Sequence, residues 1–253
     1  MMPPSGSCAV AVMAKTPRPG HVKTRLVPPL TAEEATALNA AFLYDITAMI
    51  ASVGRNLAVS GFVAYAPADG EALFDGKLAP QTGLVLADGS VPLPPEISGI
   101  GRSLVQAMRS LLGRGFDAVC LVNSDSPTLP AAILAQAVAA LADGRQVVLG
   151  PAEDGGYYLI GVPAALAARA EALFRDIPWS TPGVTAATLA RAAEVPLQVL
   201  SLPVWYDVDD AASLRRLAVE LADRTGLTAG FAPQTAAIIA RLGLGRRLAD
   251  PIR

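Results

Sequence analysis

Ala9-Val-Ala-Val-Met13 runs directly into Ala14-Lys-Thr-Pro-Arg-Pro-Gly-His-Val-Lys-Thr-Arg-Leu26, and a few residues later comes Thr31-Ala-Glu-Glu34. Five apolar residues without a polar break are what a strand buried on both faces requires. The Pro- and Gly-bearing stretch from Lys15 to Leu30 cannot continue it and reads as a loop. Thr31 with Glu34 three residues on is a capping box, so a helix is expected to start there, with Leu38, Phe42, Ile46 and Met49 on one face. Strand, loop and helix in that order form the opening unit of an α/β domain.

Working outward, the same alternation recurs. Strands are expected at Gly61–Ala66, Asp117–Val122, Val147–Leu149, Tyr157–Val162 and within Val195–Val204, with an apolar piece at Gly83–Ala87. Helices are expected at Arg102–Leu112, Pro130–Leu141, Pro163–Phe174, Thr181–Ala193 and Asp210–Ala222. Strands spaced by helices imply a mostly parallel sheet sandwiched by helices, α/β in class and Rossmann-like. Residues 8–222 are expected to form this domain. Residues 223–253 are expected to be a helical tail packed on it, with a short helix near Thr235–Leu242.

The chain has 253 residues, 52% of them hydrophobic and 17% charged, with a formal net charge of −2. That composition supports a substantial core and argues against disorder. The near-neutral charge argues against a nucleic-acid partner, which would ask for a basic face. Cys8 and Cys120 both sit in apolar runs and are expected to be buried, reduced thiols. No cysteine spacing suits a metal. Neither a leader sequence nor a membrane span is expected, and the location is expected to be cytoplasmic.

In open α/β sheets, ligands bind beyond the carboxyl ends of the strands. The first such loop carries Lys15, Arg18, Lys23 and Arg25 around Gly20. Exposed backbone N–H groups and cations there suit phosphate oxygens, although the spacing is not that of a P-loop and a solvated basic loop would look similar. The third expected strand leads into Asn123-Ser-Asp-Ser-Pro127, where Asp125 could hold Mg²⁺ or Mn²⁺ against phosphates, or simply open a helix. Gly150-Pro-Ala-Glu-Asp-Gly-Gly-Tyr-Tyr158 follows another strand. Its glycines would allow close approach to a ligand and Glu153 and Asp154 would accept from hydroxyls, and an Asp-Gly-Gly hairpin turn would explain the glycines equally well. Trp205-Tyr-Asp-Val-Asp-Asp210 closes the series. Asp207 and Asp209 share one side of an extended segment and could complete a metal site with Asp125, or Asp209 or Asp210 could cap the next helix. His21 reads as solvated, and Trp179 as a packing residue in a Pro-Trp-Ser-Thr setting that leaves a ligand-facing role open.

Taken together, Ala14-Lys15…Pro19-Gly20…Lys23-Thr-Arg-Leu26, Ser124-Asp-Ser-Pro127, Gly150 to Gly161, Pro178-Trp-Ser-Thr181 and Asp207-Val-Asp209 resemble a bacterial family of GT-A-fold nucleotide-diphospho-sugar transferases. Its members are labelled glycosyltransferases, some of them associated with arsenosugar biosynthesis. The sequence is more distantly similar to the guanylyltransferases that activate phospholactate, which share a Lys…Lys-Thr-Arg-Leu loop. The resemblance spans about residues 8 to 220. Asn123 stands where related sequences usually have Gly, and Asp210-Ala-Ala-Ser replaces the common Thr-Pro-Glu-Asp.

The resemblance implies a metal-dependent transferase. Lys15, Arg18, Gly20, Lys23, Arg25 and Ser124 would bind nucleotide phosphates. Asp125 and Asp209, with Asp207 in reserve, would hold Mg²⁺ or Mn²⁺. Glu153, Asp154, Gly155, Gly156, Tyr157 and Trp179 would line the substrate pocket, and Asp154, Lys23 and Arg25 would serve catalysis. The partners would be a nucleotide sugar, or a nucleoside triphosphate, and a small acceptor, with a homodimer left open. Glycosyl transfer is the first expectation, nucleotidyl transfer with pyrophosphate release the second, and non-catalytic nucleotide binding the third.

Overall fold

The computed structural model describes residues 3–4, 6–222 and 232–248. Seven strands form one sheet: β1 (Cys8–Lys15), β2 (Val59–Ala66), β3 (Gly83–Leu86), β4 (Ala118–Asn123), β5 (Gln146–Pro151), β6 (Tyr157–Pro163) and β7 (Gln198–Ser201). Their spatial order is β3-β2-β1-β4-β6-β5-β7, and only β6 runs antiparallel to its neighbours. The mostly parallel sheet expected from the alternation is therefore present. The antiparallel β6 has a local cause, since five residues separate it from β5, enough for a hairpin and too few for a parallel crossover.

The apolar run of β1 is explained by the two faces it serves. Val10 and Val12 pack with Leu43, Ile46 and Ile50 of α1 (Ala32–Gly54) and with α3 (Ala131–Leu141). Ala9 and Ala11 point the other way, toward Val105, Met108 and Leu111 of α2 (Ile100–Leu112). Alternation along a strand covered on both sides needs apolar residues at every position.

The capping box opens α1 as expected: Glu34 N–H donates to Thr31 Oγ1 at 3.2 Å and Thr31 N–H to Glu34 Oε2 at 3.0 Å. The expected stripe on α1 is divided between two cores. Ile46 packs on the sheet, whereas Leu38 and Phe42 join Leu26, Leu30, Tyr206, Val208, Leu214 and Leu217 in a separate cluster. By length and composition α1 could cross a membrane, yet 56% of its apolar window is buried inside this fold.

Pro163–Phe174, expected as one helix, is a short α-helix, α4 (Ala167–Ala170), with 3₁₀ turns on either side. Its apolar side chains are nonetheless buried at helical spacing. The next helix, α5 (Val184–Glu194), starts three residues later than expected, because Thr181 is spent on a turn. Its Oγ1 donates to Pro178 O at 2.7 Å and accepts from Gly183 N–H at 3.2 Å.

Beyond α6 (Ala211–Ala222) come α7 (Pro233–Arg241) and α8 (Leu244–Arg247). Asp45 of α1 accepts from the N–H groups of Gln234 and Thr235 at 3.1 and 2.7 Å, so α1 supplies the N-terminal cap of α7 across the fold. Residues 223–231 and 249–253 of the expected tail lie outside the described residues. Both cysteines are free and buried, as expected.

Candidate functional site at the carboxyl edge of the sheet

The strand registers bring the sequence motifs to one edge. Lys15 ends β1 beside Ala66 of β2, and Asn123 ends β4 opposite Met13. Because β6 is antiparallel, Tyr157 and Pro151 arrive at the same edge. The chain leaves β1 toward β2 on one side and returns to β4 on the other, so the crevice between the β1 and β4 loops is the topological switch point.

Lys23 lies at the centre of this crevice. Its Nζ is 2.7 Å from Asp125 Oδ1 and 3.2 Å from Asp209 Oδ1, and it donates to Val208 O at 2.6 Å. The Lys23 side chain is 4% exposed, the two carboxylates 32% and 42%. Burial pulls the ammonium's pKa down, but the charges of Asp125 and Asp209 outweigh it and hold the pKa above its ordinary value. The ring of Phe42 sits 5.4 Å from Nζ. Lys23 itself adopts φ 49° and ψ 37°, a left-handed conformation uncommon outside glycine, ahead of a 3₁₀ turn at Thr24–Leu26.

The 205–210 segment is fixed independently. Val208 N–H donates to Asp125 O at 2.8 Å, and Val208 is fully buried in the core shared with Phe42 and Leu26. Asp207 does not reach toward Lys23. Its Oδ1 accepts from Asn123 Nδ2 and from Ser126 Oγ, both at 2.6 Å. Burial raises its pKa to about 6. The two hydrogen bonds oppose that rise, and the negative charges of Asp125 and Asp209 add to it. The cap of α6 is Asp210, whose Oδ1 accepts from Ser213 N–H at 2.8 Å, which frees Asp209 for the crevice.

Among the described residues no three acidic, histidine or cysteine side chains group as a metal set. The expected trio thus separates: Asp125 and Asp209 share a cation, and Asp207 braces the loop beneath them. Two carboxylates and the Val208 carbonyl, all hard oxygen donors, already converge on one positive charge. That set fits a divalent ion that completes its shell from phosphate and water.

The rest of the basic loop is distributed unevenly. Arg18 pairs with Asp69 at 3.1 Å. Lys15 and Arg25 are exposed, and neither is in an ion pair among the described residues. Gly20 has φ +76°, open space where a Cβ would be, and no neighbour forcing it. Ser124 Oγ donates to Asp125 Oδ1 at 3.0 Å. His21 is exposed, with Nδ1 3.1 Å from Pro19 O.

On the other side, β5 and β6 form the Asp-Gly-Gly hairpin. Ala152 bridges to Trp205, and Glu153 N–H donates to Trp205 O at 2.9 Å, which ties the hairpin to the segment carrying Asp207 and Asp209. Glu153 also pairs with Arg216 of α6 at 2.7 Å. Asp154 is exposed, and its Oδ1 accepts from Gly156 N–H at 2.8 Å. Gly155 has φ +89°, and a Cβ there would lie 2.1 Å from Pro182 O. Tyr157 and Trp179 pack edge to face at 6.2 Å, with the Tyr157 hydroxyl and the Trp179 Nε1 buried and without a hydrogen-bond partner.

Asn123, Ser126 and the Val208 carbonyl were not singled out as site groups from sequence. The usable signal was the crowding of hydrogen-bonding side chains around Asp125 in Asn-Ser-Asp-Ser, more than one helix-entry turn needs.

This architecture, with loops converging at a switch point beyond the strand ends, is that of the nucleotide-diphospho-sugar transferases. The chain belongs to a family described as uncharacterized proteins conserved in bacteria (DUF2064), matched over residues 49–181, just over half its length. It is similar to a solved structure from Desulfovibrio desulfuricans G20, described as a candidate nucleotide-diphospho-sugar transferase. The two share 28% identity over 97% of this chain and 99% of that one, with a TM-score of 0.78. It also shares a fold with a CMP:2-keto-3-deoxy-manno-octonic acid synthetase solved with CTP, at 12% identity and a TM-score of 0.53, covering 85% of this chain and 98% of that one. No curated protein matches it by sequence. These structural neighbours are transferases, in keeping with the resemblance read from the motifs.

Proposed function

We propose that this chain is a divalent-metal-dependent transferase acting on a nucleoside-diphosphate substrate, and that it moves a sugar from a nucleotide sugar to a small acceptor. The observation that carries this reading is the convergence of Asp125 and Asp209 on a single cation at the switch point. The extent of the likeness to the Desulfovibrio protein supports it.

Asp125 and Asp209 would hold Mg²⁺ or Mn²⁺, and the bound ion would supply charge neutralisation for the diphosphate leaving group. Lys15 and Arg25, exposed on the same β1 loop as Lys23, would add donors for phosphate oxygens. Asp154 sits at the hairpin tip with one oxygen fixed by Gly156 N–H, so its carboxylate is oriented before an acceptor arrives. In the transfer, the acceptor oxygen bonds to the anomeric carbon while the bond from that carbon to the diphosphate breaks. Asp154 takes the acceptor proton. Two free thiols are in keeping with a reducing, cytoplasmic setting.

A second reading is nucleotidyl transfer, in which a phosphorylated acceptor attacks a nucleoside triphosphate and pyrophosphate leaves. The exposed cations Lys15 and Arg25 of the β1 loop favour it, because a triphosphate carries more charge to neutralise and this reaction rests on positioning and charge neutralisation.

A thermal-shift panel with Mn²⁺ and UDP-, GDP- and CDP-sugars, set against GTP, CTP and UTP, tests both. Metal-dependent stabilisation by a nucleotide sugar is expected, and stabilisation by no nucleotide would sink both readings. Pyrophosphate release from a triphosphate would replace the glycosyl reading with the nucleotidyl one. Asp125→Ala should abolish metal-dependent nucleotide binding, and unchanged affinity would remove Asp125 from the site.

A further inference from the structure

We propose that Lys23 is the resident cation of the crevice, and that it makes divalent-metal binding conditional on a phosphate-bearing ligand. The inference rests on the metal and nucleotide reading above and goes beyond it, because it assigns Lys23 a role other than direct phosphate contact.

The ammonium donates to Asp209 Oδ1 and to the Val208 carbonyl and pairs with Asp125 Oδ1 at 2.7 Å, so three oxygens already crowd it. A divalent ion coordinated by both carboxylates would need the same space, since ligand oxygens sit about 2.0–2.6 Å from such ions. Lys23 therefore has to withdraw from at least one carboxylate as the ion arrives. Its side chain is 4% exposed, and apart from these three oxygens its ammonium faces the ring of Phe42. Withdrawal without a new anion would leave a buried charge uncompensated, which is strongly unfavourable. A phosphate entering beside the metal supplies that anion.

Metal and nucleotide are thereby coupled through one side chain, and the coupling is reciprocal. Metal alone competes with Lys23. Metal arriving with a di- or triphosphate moves the ammonium from carboxylate to phosphate. The same geometry accounts for a lysine in a sequence loop of phosphate-binding character that is buried against aspartates.

Mn²⁺ binding to the full chain, followed by the electron paramagnetic resonance signal of the free ion, tests this without any activity assay. Lys23→Met keeps the length of the apolar stem and removes the ammonium. The variant should bind Mn²⁺ alone at least tenfold more tightly than the unaltered chain, and Lys23→Gln, a milder change, should move affinity in the same direction. In the unaltered chain, nucleoside diphosphates (UDP, GDP, CDP and ADP, each tried) should raise Mn²⁺ retention after correction for Mn²⁺ bound by free nucleotide. Equal or weaker Mn²⁺ binding by both variants would overturn the proposal, as would absence of Mn²⁺ binding in all three proteins. The two readings fail separately. Tighter Mn²⁺ binding by the variants with no nucleotide effect would leave Lys23 as resident cation while removing the nucleotide reading. Nucleotide-dependent Mn²⁺ binding with no difference between the unaltered chain and the variants would do the reverse.

Discussion

The β1 loop and the β5–β6 hairpin both follow a strand at the carboxyl edge, both contain a positive-φ glycine, and both were expected to touch ligand. They are mounted differently. The β1 loop is anchored at its far end by Leu26 and Leu30 in the core shared with Phe42, but where it faces the crevice its attachments are charged: Lys23 to Asp125 and Asp209, Arg18 to Asp69. The hairpin is attached through main chain: Ala152 to Trp205, Glu153 N–H to Trp205 O, Thr185 N–H to Gly155 O, and the backbone of Pro182 against Gly155. Ion pairs can be traded for ligand phosphates, whereas backbone pairing and close approach cannot. On the proposed reading, one side of the site exchanges partners and the other stays put.

The sharpest way to break this contrast is at its two glycines. In Gly155→Ala the added methyl meets Pro182 backbone at 2.1–2.6 Å on a residue with φ +89°, so strain and overpacking combine. A loss of about 2–5 kcal/mol is expected. Gly20→Ala has the same sign of φ, +76°, but open space around it, and should lose only about 1 kcal/mol. Urea denaturation of both variants reads the difference, and similar losses would show that the hairpin is no more rigidly held than the loop.

Between loop and hairpin stands Asp207, which fastens β4's exit to the 205–210 segment. With its folded pKa raised to about 6 by burial, the native state binds the proton more tightly than the unfolded chain does, whose aspartate titrates near 3.8. The stability it contributes is thus fully present below the unfolded value and is lost as pH rises from about 4 through about 6. In metal-free buffer, Asp207→Asn should flatten that part of the stability profile, because asparagine cannot ionise. An unchanged slope between pH 4 and 6 would assign the titration to another group.

Much of this was legible in the sequence where local chemistry decided the outcome. The uninterrupted Ala9–Met13 run announced a strand covered on both faces, and Thr31 with Glu34 announced the start of α1, because neither depends on distant residues. The boundaries that moved are those set by tertiary contact. Thr181-Pro-Gly183 reads as a helix start but is drawn into a turn against Gly155. Leu38 and Ile46 read as one stripe, yet they face different cores because α6 and α7 cover part of α1. At the candidate site, the motifs do gather at one edge of the sheet, but the sequence does not separate the carboxylates by their contacts. Asp207 and Asp209 alternate onto one side of an extended segment. Only the presence of Asn123 and Ser126 below and Lys23 above separates a brace from a cation ligand, and those neighbours come from 81 to 186 residues away in sequence.

The smallest expected effect belongs to Arg18, and it tests whether the charge-mounted loop is held at one point or two. Arg18 pairs with an Asp69 side chain that is 71% exposed, at the opposite end of the loop from Lys23. Solvent-exposed pairs of this kind contribute about 0–1 kcal/mol. If Lys23 is the anchor, Arg18→Ala should change stability by less than about 0.5 kcal/mol. It should also leave Mn²⁺ binding where it was, since the guanidinium touches neither Asp125 nor Asp209. A larger loss in urea denaturation, or a shift in Mn²⁺ affinity, would mean that the loop's position is set from both ends. Lys23 would then not be free to exchange carboxylate for phosphate without moving the Asp69 contact as well.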